Sequence, residues 1–324
     1  MRNLRHTLTL LACAAAALSP LALPAAEPVP SWLYPMAGEL PAKPYNTTIA
    51  LGLADSKVSY TQAQLFDQFA VPDWHPDAHA PMPEVVAHGR KPQVFACGYC
   101  HLANGLGRPE NASLAGLPSA YILQQLADFK SGARRSAWPG SYAPADSMVQ
   151  VAAHLDAADA AAAAEYFSRQ PLQRRRAQLA ESAAVPRLEV AGWTYLIAPG
   201  GQTEALGDRL LEFAPDTVRD ERRDDEMQYA AYVPPGSIAR GRVIASAGVS
   251  GGIACNTCHG ADLRGMAVFP PIAGRSPTYI LRQLYAFKNG TRNSAAAQPM
   301  LPVAASLSVP DMIAVAAYAA SLNP

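Results

Sequence analysis

Charge is scarce in this sequence. Asp, Glu, Lys and Arg make up 16% of the 324 residues, where a typical soluble domain carries roughly 25%, and 26 basic residues are matched by 26 acidic ones. Without a basic excess there is no electrostatic footprint for nucleic acid, so that class of partner is excluded. Half the residues are hydrophobic, and low charge with high apolar content excludes a disordered chain as well. Beyond the N-terminal 26 residues no apolar run approaches the ~20 residues that cross a bilayer. Proline is in excess, at 29 residues, which predicts much ordered loop and short helices. The length suits about two domains of roughly 100–200 residues each.

The N-terminus reads as an address. Arg2, Arg5 and His6 precede an almost wholly apolar Leu8–Leu23 and the small residues Ala25 and Ala26. This is the layout of a secretory signal peptide, residues 1–26, and it predicts export to the periplasm. Two other readings would tie the protein to a membrane. Leu10-Leu11-Ala12-Cys13 loosely resembles a lipoprotein box, and Leu8–Ala26 approaches the ~20 residues of an uncleaved anchor.

Of five cysteines, only Cys13 falls in that leader. The others form two copies of one pattern, Cys97-Gly98-Tyr99-Cys100-His101 and Cys255-Asn256-Thr257-Cys258-His259. C-x-x-C-H is the attachment signature of c-type haem. Two thiols on one helical turn reach the two vinyl groups of a single haem, and the adjacent histidine binds its iron. Paired zinc knuckles are usually separated by about 15–20 residues, and a thioredoxin-like pair wants a βαβ context, which is not visible here. Disulfides suit an exported chain but leave the histidine after each pair unexplained. Two covalently bound haem c groups are therefore expected, held by Cys97, Cys100, Cys255 and Cys258, with His101 and His259 on iron.

An internal repeat supports this independently. At an offset of 158, eleven of the twenty positions from Ala115 to Arg134 are identical to Ala273–Arg292, including Tyr121 with Tyr279 and Arg134 with Arg292. The register then slips by six, so that Tyr166 matches Tyr318. Asp156 with Asp159, and Ser308 with Asp311, read as matching N-caps of a last helix.

The realigned register nominates a second ligand for each iron. Met148 and Met300 each lie 18 residues before the matched tyrosine, in what reads as a loop ahead of the last helix. His/Met ligation is the electron-transfer pattern, because methionine sulfur raises the potential. His154 remains an alternative to Met148; the second repeat has Ser306 there. Met312 falls inside the last helix and reads as packing.

With these motifs in hand, the chain resembles the tandem di-haem c-type cytochromes, two class I cytochrome c modules in one exported chain. The resemblance implies a mainly α fold with long Pro-rich loops and a small β-containing connecting segment. It covers residues 84–170 and 236–324, with 27–83 a Pro-rich N-terminal extension and 171–235 the connecting segment. It implies leading helices at Pro83–His88 and Ser237–Ala247, middle helices at Tyr121–Lys130 and Tyr279–Lys288, and last helices at Asp156–Ser168 and Ser308–Leu322. It also implies a carbonyl that accepts the proximal histidine's N–H; Pro270 fits, and the aligned residue in the first module is Ala112. In the extension, His75 and His79 are spaced like a metal pair, but Pro76 between them argues against a helix, and a solvated or interface loop is expected. In the connecting segment, Leu188–Ile197 and Leu210–Phe213 suggest short strands, Arg174–Arg176 a solvated helix face, and Asp220–Glu226 an exposed loop.

Two six-coordinate irons have no empty site for substrate, so the expected role is electron transfer. A periplasmic dehydrogenase would be the donor, and a terminal oxidase or another cytochrome the acceptor. The competing reading is a haem enzyme, a di-haem peroxidase or a sulfur-compound oxidising cytochrome. It needs one open iron, and a cysteine-ligated version needs a fifth mature cysteine, which the chain lacks. A redox-gated binding module is a third. Modules of about 80 residues bury a modest core, so folding should depend on haem. Replacing Cys255 and Cys258 together by alanine is expected to abolish folding of the second module, read by haem staining and proteolysis. Recovery of a stably folded, haem-free second module would overturn this.

Overall fold

The computed structural model describes residues 27–37, 45–173 and 176–324, with the backbone alone for 176 and 177. The signal segment 1–26, with its anchor and lipoprotein alternatives, lies outside the described residues, as do Arg174 and Arg175.

The fold is mainly α, and the helices fall where apolar spacing and caps place them. A hairpin, β1 (Ala50–Gly52) with β2 (Ser59–Thr61), and α1 (Gln62–Leu65) belong to the N-terminal extension. Then come α2 (Glu84–Ala87), α3 (Cys97–His101), α4 (Ser119–Ser131), α5 (Ala143–His154) and α6 (Ala157–Arg169). Asp156 caps α6 by accepting from Asp159 N at 2.8 Å. Val85, Val86, Ile122, Val151, Ala164 and Phe167 meet in the core of this half.

The second half repeats the order as α8 (Ser237–Ala247), α9 (Asn256–His259), α10 (Pro277–Lys288), α11 (Met300–Ser306) and α12 (Val309–Ser321). Ser308 and Asp311 form a reciprocal capping box at α12. Among the described residues no single helix is long and apolar enough to cross a membrane. Helices α11 and α12 pass that test only together, bent by 118°, and α12 is buried along most of its length. It packs on α8 where Gly241 lets the backbones meet: a Cβ there would fall 2.0 Å from Ala314 O and 2.7 Å from Tyr318 Cβ.

Between the halves the strands expected around Leu188–Ile197 and Leu210–Phe213 join two unexpected ones, Arg176–Glu181 and Tyr229–Val233, in a sheet. β3 (Arg176–Glu181), β5 (Leu188–Ala191), β6 (Thr194–Ile197), β8 (Leu211–Ala214) and β9 (Tyr229–Val233) align in the order β3-β9-β8-β6-β5. A separate pair joins β4 (Ala184–Pro186) to β7 (Thr203–Ala205). Arg176 therefore opens a strand, where a helix face was expected. The run Asp220–Glu226 also differs from expectation. It follows the capped helix α7 (Thr217–Glu221) into a turn, and Asp220, Asp224 and Asp225 are buried. Asp220 is neutralised from a distant segment, with Arg108 Nη2 2.9 Å from its Oδ2, and Asp224 locally, by Arg219. Of the two readings for the loop around His75 and His79, solvated or interface, the contacts are those of an interface. Trp74 is 1% exposed and donates its indole N–H to Arg222 O at 2.8 Å.

The two halves are locked by residues that the repeat makes equivalent. Arg134 and Arg292 face each other across a short antiparallel bridge. Each reaches into the other half: Arg134 Nη2 donates to Tyr279 Oη at 2.6 Å, and Arg292 Nη2 to Tyr121 Oη at 2.7 Å. Arg275 crosses as well, donating to Ser113 O at 2.8 Å and Ala115 O at 3.0 Å, while its Nε holds Pro271 O.

Two outcomes follow from these contacts. Gly241→Ala overpacks the α8–α12 contact and should cost about 1–3 kcal/mol, visible as a lower denaturation midpoint. Arg275→Ala leaves buried carbonyls unpaired at about 1–3 kcal/mol each. It should split urea unfolding into two transitions, one per half.

Candidate haem sites

Each C-x-x-C-H motif occupies one short helical turn. Cys97 and Cys100 lie on α3, and Cys255 is the residue before α9, itself in helical conformation. Burial pushes the Cys97 thiol up to about 12 and raises Cys100 and Cys255 too. Before haem attachment such thiols would be protonated, unlike the low-pKa thiolates of disulfide exchange.

The two histidines share one geometry. His101 Nδ1 lies 2.8 Å from Ala112 O, and His259 Nδ1 lies 2.8 Å from Pro270 O. A carbonyl only accepts, so Nδ1 carries the proton and Nε2 keeps its lone pair, the tautomer that binds iron. Burial lowers the pKa of both rings, which favours the neutral form a metal needs. The acceptor sits eleven residues after the histidine in both halves, whether it belongs to alanine or proline.

His101, Met148, His259 and Met300 all line one continuous cavity of about 720 Å³. Met148 lies within α5 and Met300 opens α11, so both occupy helices where loops were expected. His154 does not line the cavity; it is exposed at the end of α5, with Nδ1 2.9 Å from Gln150 O. Met312 is fully buried in α12, in the second-half core.

The cavity wall carries a feature that the motifs do not foreshadow. Four arginines, Arg134, Arg275, Arg282 and Arg292, are buried there, and none forms an ion pair with a carboxylate among the described residues. Arg134 and Arg292 share the amides of Gln125 and Gln283. Arg282 holds Leu33 O at 2.7 Å and Pro109 O at 2.9 Å. Burial depresses Arg275 to about 10. Burial also raises the Tyr121 phenol, but Arg292 and Arg134 together outweigh it and hold Tyr121 below its ordinary value. Arg292 Nε and the Tyr142 hydroxyl are buried without a hydrogen-bond partner. Buried charge is tolerated only when paired, so this wall calls for anions inside an otherwise apolar space. Haem is apolar across its face and carries two carboxylates on one edge, and it matches both requirements. The repeat had marked Arg134 and Arg292 as equivalent; only the fold shows that they stand at the cavity.

The surroundings of the two motifs differ. Over the first, the Arg223 guanidinium stacks 3.8 Å from the Tyr99 ring and donates to Tyr99 Oη at 2.8 Å. Around the second, Ile253, Met266 and Val268 are exposed, Val268 by 74%.

No protein-family model matches the chain. It is 38% identical over 68 residues to cytochrome c-554(548) of Halomonas halodenitrificans, covering 21% of this chain and 82% of that protein. It is 27% identical over 238 residues to the thiosulfate dehydrogenase electron acceptor of Stutzerimonas stutzeri, covering 72% of this chain and 82% of the relative. Cytochrome c4 of Pseudomonas aeruginosa is 28% identical over 237 residues, 71% of this chain and 86% of that one. Two attachment motifs on repeated halves and these likenesses agree: the chain belongs to the c-type cytochromes, as a tandem di-haem electron-transfer protein with two covalently bound haem c groups.

Proposed function

We propose that the protein is a periplasmic electron carrier in which His101 and Met148 ligate the first iron and His259 and Met300 the second. Cys97 and Cys100 hold the first haem, Cys255 and Cys258 the second. The observation that carries this reading is that each histidine and methionine of the four lines the same cavity, whereas His154 stands outside it. Bound haem iron supplies a one-electron couple. The chain's residues set its conditions. The Ala112 and Pro270 carbonyls fix the two imidazole tautomers. The apolar wall excludes water, and the buried arginines offer countercharge to carboxylates.

The donor is a periplasmic dehydrogenase and the acceptor a terminal oxidase or another cytochrome. The names of two relatives support a dehydrogenase of sulfur compounds: the thiosulfate dehydrogenase electron acceptor, and the cytochrome subunit of sulfide dehydrogenase of Chlorobaculum tepidum. The exposed apolar rim of Ile253, Met266 and Val268 favours the second haem as the point of exchange. The Arg223–Tyr99 stack shields the first.

The purified holo-protein should show two low-spin haems and no optical shift with carbon monoxide. The weak red-edge band of methionine on ferric haem should appear at two-haem intensity. Met148→Ala and Met300→Ala should each halve that band and open one iron to carbon monoxide. A high-spin haem that binds carbon monoxide quickly in the unaltered protein would overturn the proposal.

A further inference from the structure

Outside the haem cavity, the N-terminal extension meets the connecting segment at a cluster of His75, Asp224 and Asp225, whose ligand-type atoms all lie within 4.8 Å of one another. His75 Nε2 is 3.3 Å from Asp224 Oδ1, 3.9 Å from Asp225 Oδ1 and 3.9 Å from Glu226 Oε2. The carboxylates come from three successive residues and turn towards one imidazole nitrogen. Asp224 is already accounted for: its Oδ2 pairs with Arg219, and its Oδ1 accepts from Glu226 N at 2.9 Å. Asp225 is not. Its side chain is 2% exposed, and Oδ1, the atom turned to His75, is buried with no hydrogen-bond partner. Such an orphaned carboxylate oxygen is costly in a protein interior.

A proton on His75 Nε2 is directed at one acceptor, and Asp224 is the nearest. It leaves Asp225 Oδ1 unsatisfied and three carboxylates crowded together. A cation among these atoms satisfies all of them. One imidazole nitrogen with carboxylate oxygens is a donor set for Zn²⁺, which takes four ligands at about 2.0–2.2 Å from nitrogen and oxygen. Small inward shifts reach that spacing from the distances seen here. Glu226, exposed at the rim and grouped with His75 and Asp55 as it stands, would supply the fourth oxygen by swinging inward. His79, paired with His75 by sequence spacing, takes no part: its Nε2 lies 3.1 Å from Asp73 Oδ1 and its Nδ1 3.1 Å from Tyr166 Oη.

We propose that His75, Asp224 and Asp225, with Glu226, form a binding site for a divalent transition-metal cation of the zinc class that staples the N-terminal extension to the connecting segment. The site adjoins the first haem motif. Asn104 donates to Asp225 O at 2.6 Å, and Arg223, next in sequence to Asp224, stacks on Tyr99.

The test uses chelator-treated holo-protein titrated with zinc chloride by calorimetry. One equivalent should bind, raise the melting temperature, and protect residues 45–83 from limited proteolysis. His75→Gln and Asp225→Asn should each weaken binding at least tenfold and abolish the thermal shift, with the haem spectrum unchanged. His154→Ala, on an exposed histidine elsewhere, should bind like the unaltered protein. If Asp225→Asn fails to fold, His75→Gln alone decides. Absence of zinc binding, or binding that both cluster variants retain, overturns the proposal.

Discussion

A guanidinium group buried without a carboxylate is an expensive thing to build, and among the described residues four are so buried around one cavity. Backbone carbonyls, two glutamines and two tyrosines satisfy most of their N–H groups, but none of these partners brings negative charge. The rest of the architecture follows from that imbalance. The arginines are what the two halves share, since Arg134, Arg275 and Arg292 all bond across the boundary. They also define what the cavity can accept: something flat and apolar that arrives with its own anionic groups. Cofactor binding and domain docking are thus one electrostatic problem with one solution.

The asymmetry between the halves is a consequence of what was inserted around them. Helices α4 and α10 and the proximal hydrogen bonds are nearly superimposable in chemistry. The connecting segment, however, covers the first motif with polar contacts, Arg223 on Tyr99 and Asp225 with Asn104. The second motif keeps an open apolar rim. Two similar haem environments therefore differ in access to solvent and to partners, and burial is one of the levers that set haem potential.

Much of this was legible in the residues. The C-x-x-C-H motifs, the helical spacing of Ile122, Leu126 and Phe129, and the caps at Asp156 and Ser308 are local signals, and local signals survive in a linear sequence. Ser237–Ala247 falls on the helix it was expected to form. The connecting segment was harder to read because its energetics are non-local. Asp220–Glu226 has the composition of an exposed loop, and Arg108 and His75, from more than a hundred residues away, join the local Arg219 in making its burial tolerable. Trp74 likewise needed Arg222 O, 148 positions distant, before its indole could be buried. Repeat register nominated Met148 and Met300 without foreshadowing the helices that carry them, in each of which a proline is accommodated near the helix start.

The exchange of Arg134 and Arg292 between opposite tyrosines has the form of an isologous contact, in which residue i of one copy meets residue j of the other and the reverse. Within one chain that symmetry is not required by anything; it is what two copies of one ancestor would make on meeting face to face. A single module bearing that tyrosine and that arginine already has both halves of a homodimer surface. Covalent fusion of such copies turns a concentration-dependent encounter into an intramolecular one at high effective concentration. Each half is then left at liberty to diverge, as the unequal cover over the two motifs records.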